Sequence, residues 1–159
     1  HFMSKISIRK AKIEDLPVIQ KLSNTLGEQS HSFDNELGLM WANTKVGEKY
    51  YRERIAEQKG VCFVAEKEGE ISGFISASIH EPDAWRLMKR VEIDNIFVNE
   101  KHRGEGIGKS LINIVRDWAQ KQHAKRIIVR AFTENTKALS FYQREGFSPY
   151  ESILQLRLN

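Results

Sequence analysis

The chain has one cysteine among its 159 residues, so an intramolecular disulfide and a metal site built on several cysteines are both excluded. That residue, Cys62, lies in the apolar run Val61-Cys62-Phe63-Val64, where a free thiol behaves as a small buried hydrophobe. No apolar stretch approaches the ~20 residues of a membrane span, and the N-terminus lacks the long hydrophobic stretch of a secretory signal, so the expected compartment is the cytosol, with no membrane partner. The histidines His1, His31, His80, His102 and His123 are scattered without ligand spacing, which gives no expectation of a metal. A large charge imbalance is missing too: 25 Lys and Arg stand against 21 Asp and Glu, a net charge of +4. That surplus suits a polyanionic ligand as well as an ordinary solvated surface, and with no nucleic-acid-binding motif beside it a nucleic acid partner is not expected. There is no internal repeat, low-complexity segment or linker, and nothing in the sequence supports a homodimer.

What is present is globular composition, 40% hydrophobic and 29% charged, in a length that suits one domain. His1 and Phe2 precede Met3, which reads as a native start, so the expected domain is 3–159, with residues 1–2 left by expression. Alternation at Ile6 and Ile8 predicts a first strand. Acidic residues and Pro17 then open a helix carrying Leu16, Ile19, Leu22 and Leu26, with Gly27 as its stop. Residues 28–44 are irregular, and a second helix is expected over Lys45–Lys59 with Gly60 as its stop. Val61–Glu66 and Ile71–Ile79 flank a charged, glycine-containing turn and read as a hairpin. After a loop over 80–90 the spacing predicts a strand at Val91–Val98, a helix bearing Ile107, Leu111, Ile114, Val115 and Trp118 that ends near Gln122, and a strand at Arg126–Phe132. Asn135 can cap a short helix that stops at Gly146, and the alternation of Ser152–Leu158 predicts a final strand. The economical fold class is α/β (α+β), a mixed, mostly antiparallel central sheet flanked by helices.

The most informative residues are Arg103-Gly104-Glu105-Gly106-Ile107-Gly108-Lys109-Ser110, between a strand and a strongly amphipathic helix. Alternate glycines let the backbone approach a ligand closely, and the helix's free N–H groups and positive dipole end face it, so the segment reads as a phosphate cradle. It is not a P-loop, because Arg103 stands where that motif opens with glycine. Nor is it a dinucleotide fingerprint, because Lys109 occupies the place of the third glycine.

The pattern that fits is Arg-x-x-Gly-x-Gly at Arg103, Gly106 and Gly108, and here the chain resembles the GNAT N-acetyltransferase superfamily. Val91-Glu92-Ile93-Asp94-Asn95-Ile96-Phe97-Val98 looks like that family's cofactor-binding strand. Asn135 with Ala138, Phe141-Tyr142 and Gly146-Phe147 looks like its second signature helix. The resemblance covers roughly residues 61–150; residues 1–60 fit the order of elements but carry no specific motif.

The resemblance implies a GNAT-like fold, acetyl-CoA as acetyl donor without a metal, and transfer to a primary amine by direct attack in a ternary complex. Backbone N–H groups of Arg103, Gly104, Glu105, Gly106, Ile107, Gly108 and Lys109 are implied to hold the pyrophosphate. Ile96, Phe97 and Val98 would pair with the pantetheine arm as an added strand, through an opening in the sheet. An N–H near Ile96 would polarise the thioester carbonyl. An alkyl ammonium releases its proton near pH 10.4, leaving about one free amine in a thousand or fewer at neutral pH, so a base is needed. Strand alternation puts Glu92 and Asp94 on the face of Ile96; Glu92 is the preferred base and Asp94 the second, and either can instead be the partner of a nearby cation. Asn135 is a helix cap by position and a cofactor contact by resemblance. Tyr142 is a core aromatic by spacing and, by resemblance, the acid that protonates the departing thiolate.

The irregular segments 28–44 and 80–90 are expected to frame the acceptor. Glu28, Asp34, Glu36, Glu81 and Asp83 suit a cationic amine and Trp41 or Trp85 can stack on one, while Arg86, Lys89 and Arg90 point the other way. A small amine or amino-acid derivative is the preferred acceptor. A protein or peptide amine, or acetyl-CoA binding without catalysis, are the alternatives.

Overall fold

In the computed structural model, which describes Lys5–Asn159, Ile6 and Ile8 turn inward while Ser7 faces solvent, and this alternation makes β1, Ile6–Lys10. The expected boundary at Met3 and the assignment of residues 1–2 lie outside the described residues. Helix α1, Leu16–Ser30, opens with Pro17 in its first turn and buries Leu16, Ile19 and Leu22. It runs past the expected stop at Gly27, which keeps a right-handed helical conformation and accepts the His31 amide at 3.0 Å. Helix α2, Lys45–Ile55, is capped by Thr44 Oγ1, which accepts the Gly47 N–H at 3.1 Å. It ends before the expected Lys59 because Glu57 and Lys59 adopt left-handed conformations, φ 57° and 58°.

Strands β2, Gly60–Lys67, and β3, Glu70–His80, form the expected hairpin, turning at Glu68 and Gly69, whose φ angles of 53° and 79° match the right-handed twist of the strands. Then come β4, Arg90–Val98, α3, Ile107–Lys121, β5, Arg126–Val129, and α4, Thr136–Arg144. The sheet order is β1-β2-β3-β4-β5, antiparallel except for the parallel pair β4–β5. Two expectations fail here. β5 stops at Val129 instead of Phe132, and 152–158 forms no strand: its residues have no sheet partner among the described residues and stand exposed. No helix among the described residues is long and apolar enough to cross a membrane.

The sheet separates two cores. On one face Val61, Phe63, Ile75, Ala77, Val91 and Ile93 pack against Ile107, Leu111, Ile112 and Val115 of α3. On the other, Cys62, Val64, Phe74 and Phe97 pack against Ile19 and Leu22 of α1 and Tyr51 of α2. Cys62 is buried there, and loss of hydration pushes its thiol pKa upward, away from the reactive thiolate.

Tyr51 fixes α2 on the sheet: its ring is fully buried against Phe74, and its hydroxyl bonds Ser23 of α1 at 2.8 Å. Tyr51→Ala is expected to destabilise the fold by about 3–5 kcal/mol, the cost of deleting a large buried aromatic. Denaturant unfolding measures it, and a loss below about 1 kcal/mol would mean that α2 is not anchored through this ring.

Candidate active site

The register between β3 and β4 slips at one place. Ala77 pairs with Ile93 and Ser76 with Asn95, so Asp94 is an extra residue, a β-bulge. Before it, Val91 and Ile93 face the α3 core; after it, Ile96 and Val98 do, while Phe97 faces α1 and α2. The expectation that Glu92 and Asp94 share a face with Ile96 is therefore corrected. The extra residue reverses the alternation, putting the carboxylates on the α1/α2 side and the Ile96 side chain on the α3 side.

The parallel pairing of β4 with β5 ends at Ile93 and Val129, so β4 from Asp94 to Val98 has no strand on that side. This is the opening that the resemblance required, and Ile96, Phe97 and Val98 all lie along it.

Beyond β4 the chain makes a single 3-10 turn at Glu100–His102 and enters the glycine-rich loop. Gly104 and Gly106 have φ 82° and 83°, conformations that a side chain resists, and the loop is exposed from Arg103 to Gly106. Among the described residues the amides of Gly104 through Lys109 have no hydrogen-bond acceptor; the first intrahelical bond runs from Ser110 to Gly106 at 3.1 Å. The result is a cluster of free N–H groups at the positive end of α3. Side-chain charge is directed elsewhere. Arg103 turns back, its Nε bonding Val98 O at 3.1 Å and a terminal nitrogen bonding Gln29 Oε1 at 3.3 Å. Glu105 bonds Lys67 Nζ at 3.1 Å. Lys109 is exposed.

Gly108 serves the packing of α3 on α4: a Cβ there would stand 3.0 Å from the Phe141 ring. The next residue, Tyr142, packs between Phe141 and Phe147, with ring centroids at 5.3 and 5.6 Å. Burial pushes its phenol up to about 12. Asn135 caps α4, its Oδ1 accepting the Ala138 N–H at 3.2 Å.

The two carboxylates differ. Glu92 lies between Arg130 Nε at 3.2 Å and His80 Nε2 at 3.3 Å. Asp94 accepts short hydrogen bonds from the Tyr50 and Ser78 hydroxyls, both on Oδ2. Oδ1 accepts none among the described residues. Loss of hydration raises the Asp94 pKa, working against the two hydrogen bonds and the Arg54 guanidinium, while the Glu92 charge adds to the rise. Tyr50 is the member that sequence reasoning missed. Its hydroxyl also reaches Ser76 at 3.1 Å, and Arg54, which lies over its ring at 4.4 Å, bonds Ser78 Oγ at 2.9 Å. Tyr50 is 44 residues from Asp94, and only adjacency to the helical stripe at Tyr51 could have flagged it.

The irregular segments are brought to this end unequally. Phe33 stacks on Phe132 at 5.8 Å, joining the loop after α1 to the residues after β5, where β4 and β5 part. Trp41 is spent on Tyr50 and Tyr51, at 5.6 and 6.2 Å. Asp83 holds its own turn through the Trp85 and Arg86 amides, and Glu81 meets Lys89 at 3.4 Å. Glu28, Asp34 and Glu36 form no ion pair among the described residues.

Gly108→Ala should push the added methyl against Phe141 and destabilise the protein by about 1–3 kcal/mol, as overpacking does. Phe141→Leu in the same chain should recover most of that loss. A double-mutant cycle by thermal denaturation reads the coupling, and additive effects would mean that the contact is slack.

The Acetyltransferase (GNAT) family profile matches residues 30–147. Over 155 residues, 97% of both chains, the sequence is 27% identical to the uncharacterized N-acetyltransferase YhfO of Bacillus subtilis (strain 168). It is 33% identical over 82 residues to the spermine/spermidine N(1)-acetyltransferase of the same organism, covering 50% of this chain and 54% of the relative. Other curated relatives are spanned less fully: 23% of YobR of Bacillus subtilis (strain 168) and 40% of human N-acetyltransferase 8. Among solved structures, a putative acetyl transferase from Pyrococcus furiosus superposes with a TM-score of 0.76 at 25% identity, covering 97% of this chain and 100% of that one. The aminoglycoside N-acetyltransferase AAC(6')-Iy in complex with CoA shares the fold, with a TM-score of 0.75 at 23% identity over 99% of this chain and 97% of that one. A family match over well more than half the chain, on a sheet that opens beside a glycine-rich helix start, makes the chain a member of the GNAT acetyltransferase family.

Proposed function

We propose that the chain is an acetyl-CoA-dependent N-acetyltransferase in which a small cationic amine attacks the acetyl group directly. The observation that carries this reading is the meeting, at one end of the sheet, of an unpaired β4 edge with a cluster of free amides at the start of α3. An extended thioester-bearing arm ending in a pyrophosphate fits those two features together. When bound, the donor supplies an activated acetyl thioester.

The residues of the chain do the rest. The amides of Gly104 through Lys109 hold the pyrophosphate, with fixed dipoles in place of water, and Arg103 braces the loop against Val98 instead of touching the anion. The backbone of Ile96, Phe97 and Val98 pairs with the arm, and an N–H near Ile96 donates to the acetyl carbonyl oxygen. Asp94 takes the proton from the amine through Oδ1, while Tyr50 and Ser78 fix Oδ2. It ranks ahead of Glu92 because Glu92 is engaged by Arg130 and His80, whereas Asp94 Oδ1 has no partner among the described residues and loss of hydration raises the Asp94 pKa. Glu92 orients the acceptor. Tyr142, with a phenol pKa near 12, stays protonated at neutral pH and donates to the departing thiolate. Asn135 sets the direction of α4, and so of Tyr142. The unpaired Asp34 and Glu36 lie in the segment drawn toward this end by the Phe33–Phe132 stack, with Glu28 in the last turn of α1 before it, which favours an acceptor carrying further positive charge. The spermine/spermidine relative agrees with that choice.

Thiol release from acetyl-CoA across a panel of polyamines, aminoglycosides, amino-acid derivatives and peptides tests class and substrate together. Turnover with multiply charged small amines and none with peptides is expected; the reverse overturns the acceptor assignment. Acetyl-CoA at a hundred times its dissociation constant should stabilise the fold by about 2.7 kcal/mol, and an unchanged melting temperature would remove the cofactor site from this loop.

Asp94→Asn should lower kcat/KM by about 10²–10⁴. Because the base works only when deprotonated and its pKa is raised, the wild-type rate should fall on the acid side at higher pH than an ordinary carboxylate would give. The variant should lose that limb. If Glu92→Gln removes the limb and Asp94→Asn leaves it, the two roles are exchanged.

Tyr142→Phe should lower kcat by about 10² or more while leaving acetyl-CoA affinity nearly unchanged. Wild-type turnover in a folded variant, under conditions limited by chemistry, would leave Tyr142 a packing residue.

A further inference from the structure

Arg130 is the first residue past β5, outside the ladder that ends at Ile93 and Val129. Continued by one residue, that register would set it opposite Asp94, where the two strands part and the sheet opens. Its side chain is 58% exposed, yet it lies against the Glu92 carboxylate, which is only 17% exposed. A guanidinium thus stands beside the opening, on the carboxylate that orients a cationic acceptor.

The contact is a single one. Arg130 meets Glu92 Oε2 through Nε alone, at 3.2 Å, and its guanidinium makes no other hydrogen bond among the described residues. A full-strength pair of this kind uses two nitrogens in a fork. The other Glu92 oxygen, Oε1, is met by His80 Nε2 at 3.3 Å. A second carboxylate faces the same guanidinium, with Glu151 Oε1 at 4.0 Å from Arg130 Nη1. Its other oxygen, Oε2, is met by Arg86 at 3.1 Å. Two carboxylates therefore share one exposed cation, each with one oxygen engaged by another group and one turned to Arg130.

Charge decides what this arrangement can do. A half-buried carboxylate without a partner is costly to keep ionised, and Arg130 keeps Glu92 paired before an acceptor arrives. An ammonium group that takes Glu92 Oε2 exchanges one ion pair for another. The displaced guanidinium has Glu151 Oε1 within short reach, so no charge is left alone. A neutral molecule of the same shape offers no such exchange, because it would leave Glu92 unpaired.

We propose that Arg130 is a resident stand-in for the acceptor's charge, displaced from Glu92 onto Glu151 when a multiply charged amine binds. This role, which rests on the reading of Glu92 as the group that orients the acceptor, makes Arg130 a specificity-determining residue. Once the attacking nitrogen is neutral, an acceptor with no second cationic group has nothing with which to hold Glu92, and Arg130 stays in place.

Spermidine binding measured by calorimetry, with CoA in place of acetyl-CoA so that no transfer occurs, reads the exchange. Arg130→Gln should lower the dissociation constant by up to about fivefold, the range of an exposed ion pair. That gain should vanish in the Glu92→Gln background, where no carboxylate is left to release. Glu151→Gln should raise the constant about twofold, because the displaced guanidinium loses its second anchor, and should have no such effect in the Arg130→Gln background. An equal gain from Arg130→Gln with and without Glu92 would mean relief of a general repulsion and overturns the proposal. Weaker binding by Arg130→Gln overturns it too, since Arg130 would then be a contact of the ligand. In thiol release, Arg130→Gln should lower the KM for spermidine by more than it changes kcat. Spermidine binding that ignores Arg130, beside thiol release with any amine, overturns the proposal and leaves acetyl transfer standing. No thiol release from any amine overturns both.

Discussion

One extra residue in β4 sets the geometry on which the site depends. At Asp94 the strand carries more chain than β3 can pair, and at the neighbouring residue, Ile93, β5 ceases to follow it. Bulges bend and twist a strand locally, and here bend and parting coincide. Backbone groups of Asp94 through Val98 are left unpaired on one side, a state that a buried sheet interior would not tolerate without a ligand or water. The same residue reverses the alternation, sending the carboxylates toward α1 and α2 and Ile96 toward α3.

The exposed glycine-rich loop presents backbone amides rather than side-chain charge. Gly104 and Gly106 supply left-handed turns, and Gly108 lets the Phe141 ring approach α3 closely. Three glycines that look alike in sequence thus answer two demands, conformation and packing. Arg103, the cation that opens the motif, is a brace from the loop to the end of β4 and to Gln29 of α1. Free amides on a rigid helix start give an anion donors whose positions cost nothing further to organise, which a flexible lysine does not.

Much of this was legible in sequence because it is local. The hairpin turn, the Asn135 cap, the amphipathic α3 and the glycine loop are written in neighbouring residues, and element order followed from them. What failed was non-local. Period-two alternation assumes an unbroken ladder, so the bulge at Asp94 was invisible and the face of Ile96 was misassigned. Tyr50 meets Asp94 only because α2 folds over β3 and β4, across 44 residues. Gly27 and Lys59 show the limit of single-residue stops: a glycine stayed helical, while left-handed Glu57 and Lys59, with no glycine signal, ended α2 early. The pattern at 152–158 reads as a strand, and among the described residues it has no sheet partner.

The polar cluster around Asp94 explains why the two carboxylates, two residues apart on one strand, are chemically unlike. Arg54 is buried; it donates to Ser78 and to Gln58 O, its face covers Tyr50, and its ion pair is with Glu53 at 3.6 Å instead of with Asp94. Had the guanidinium met Asp94 directly, an ion pair would have pulled the Asp94 pKa down. Interposing Ser78 and Tyr50 keeps the cation at one remove. The hydroxyls hold Oδ2 in place, and loss of hydration outweighs their pull. The carboxylate that results is fixed in position by its hydroxyl partners while loss of hydration raises its pKa.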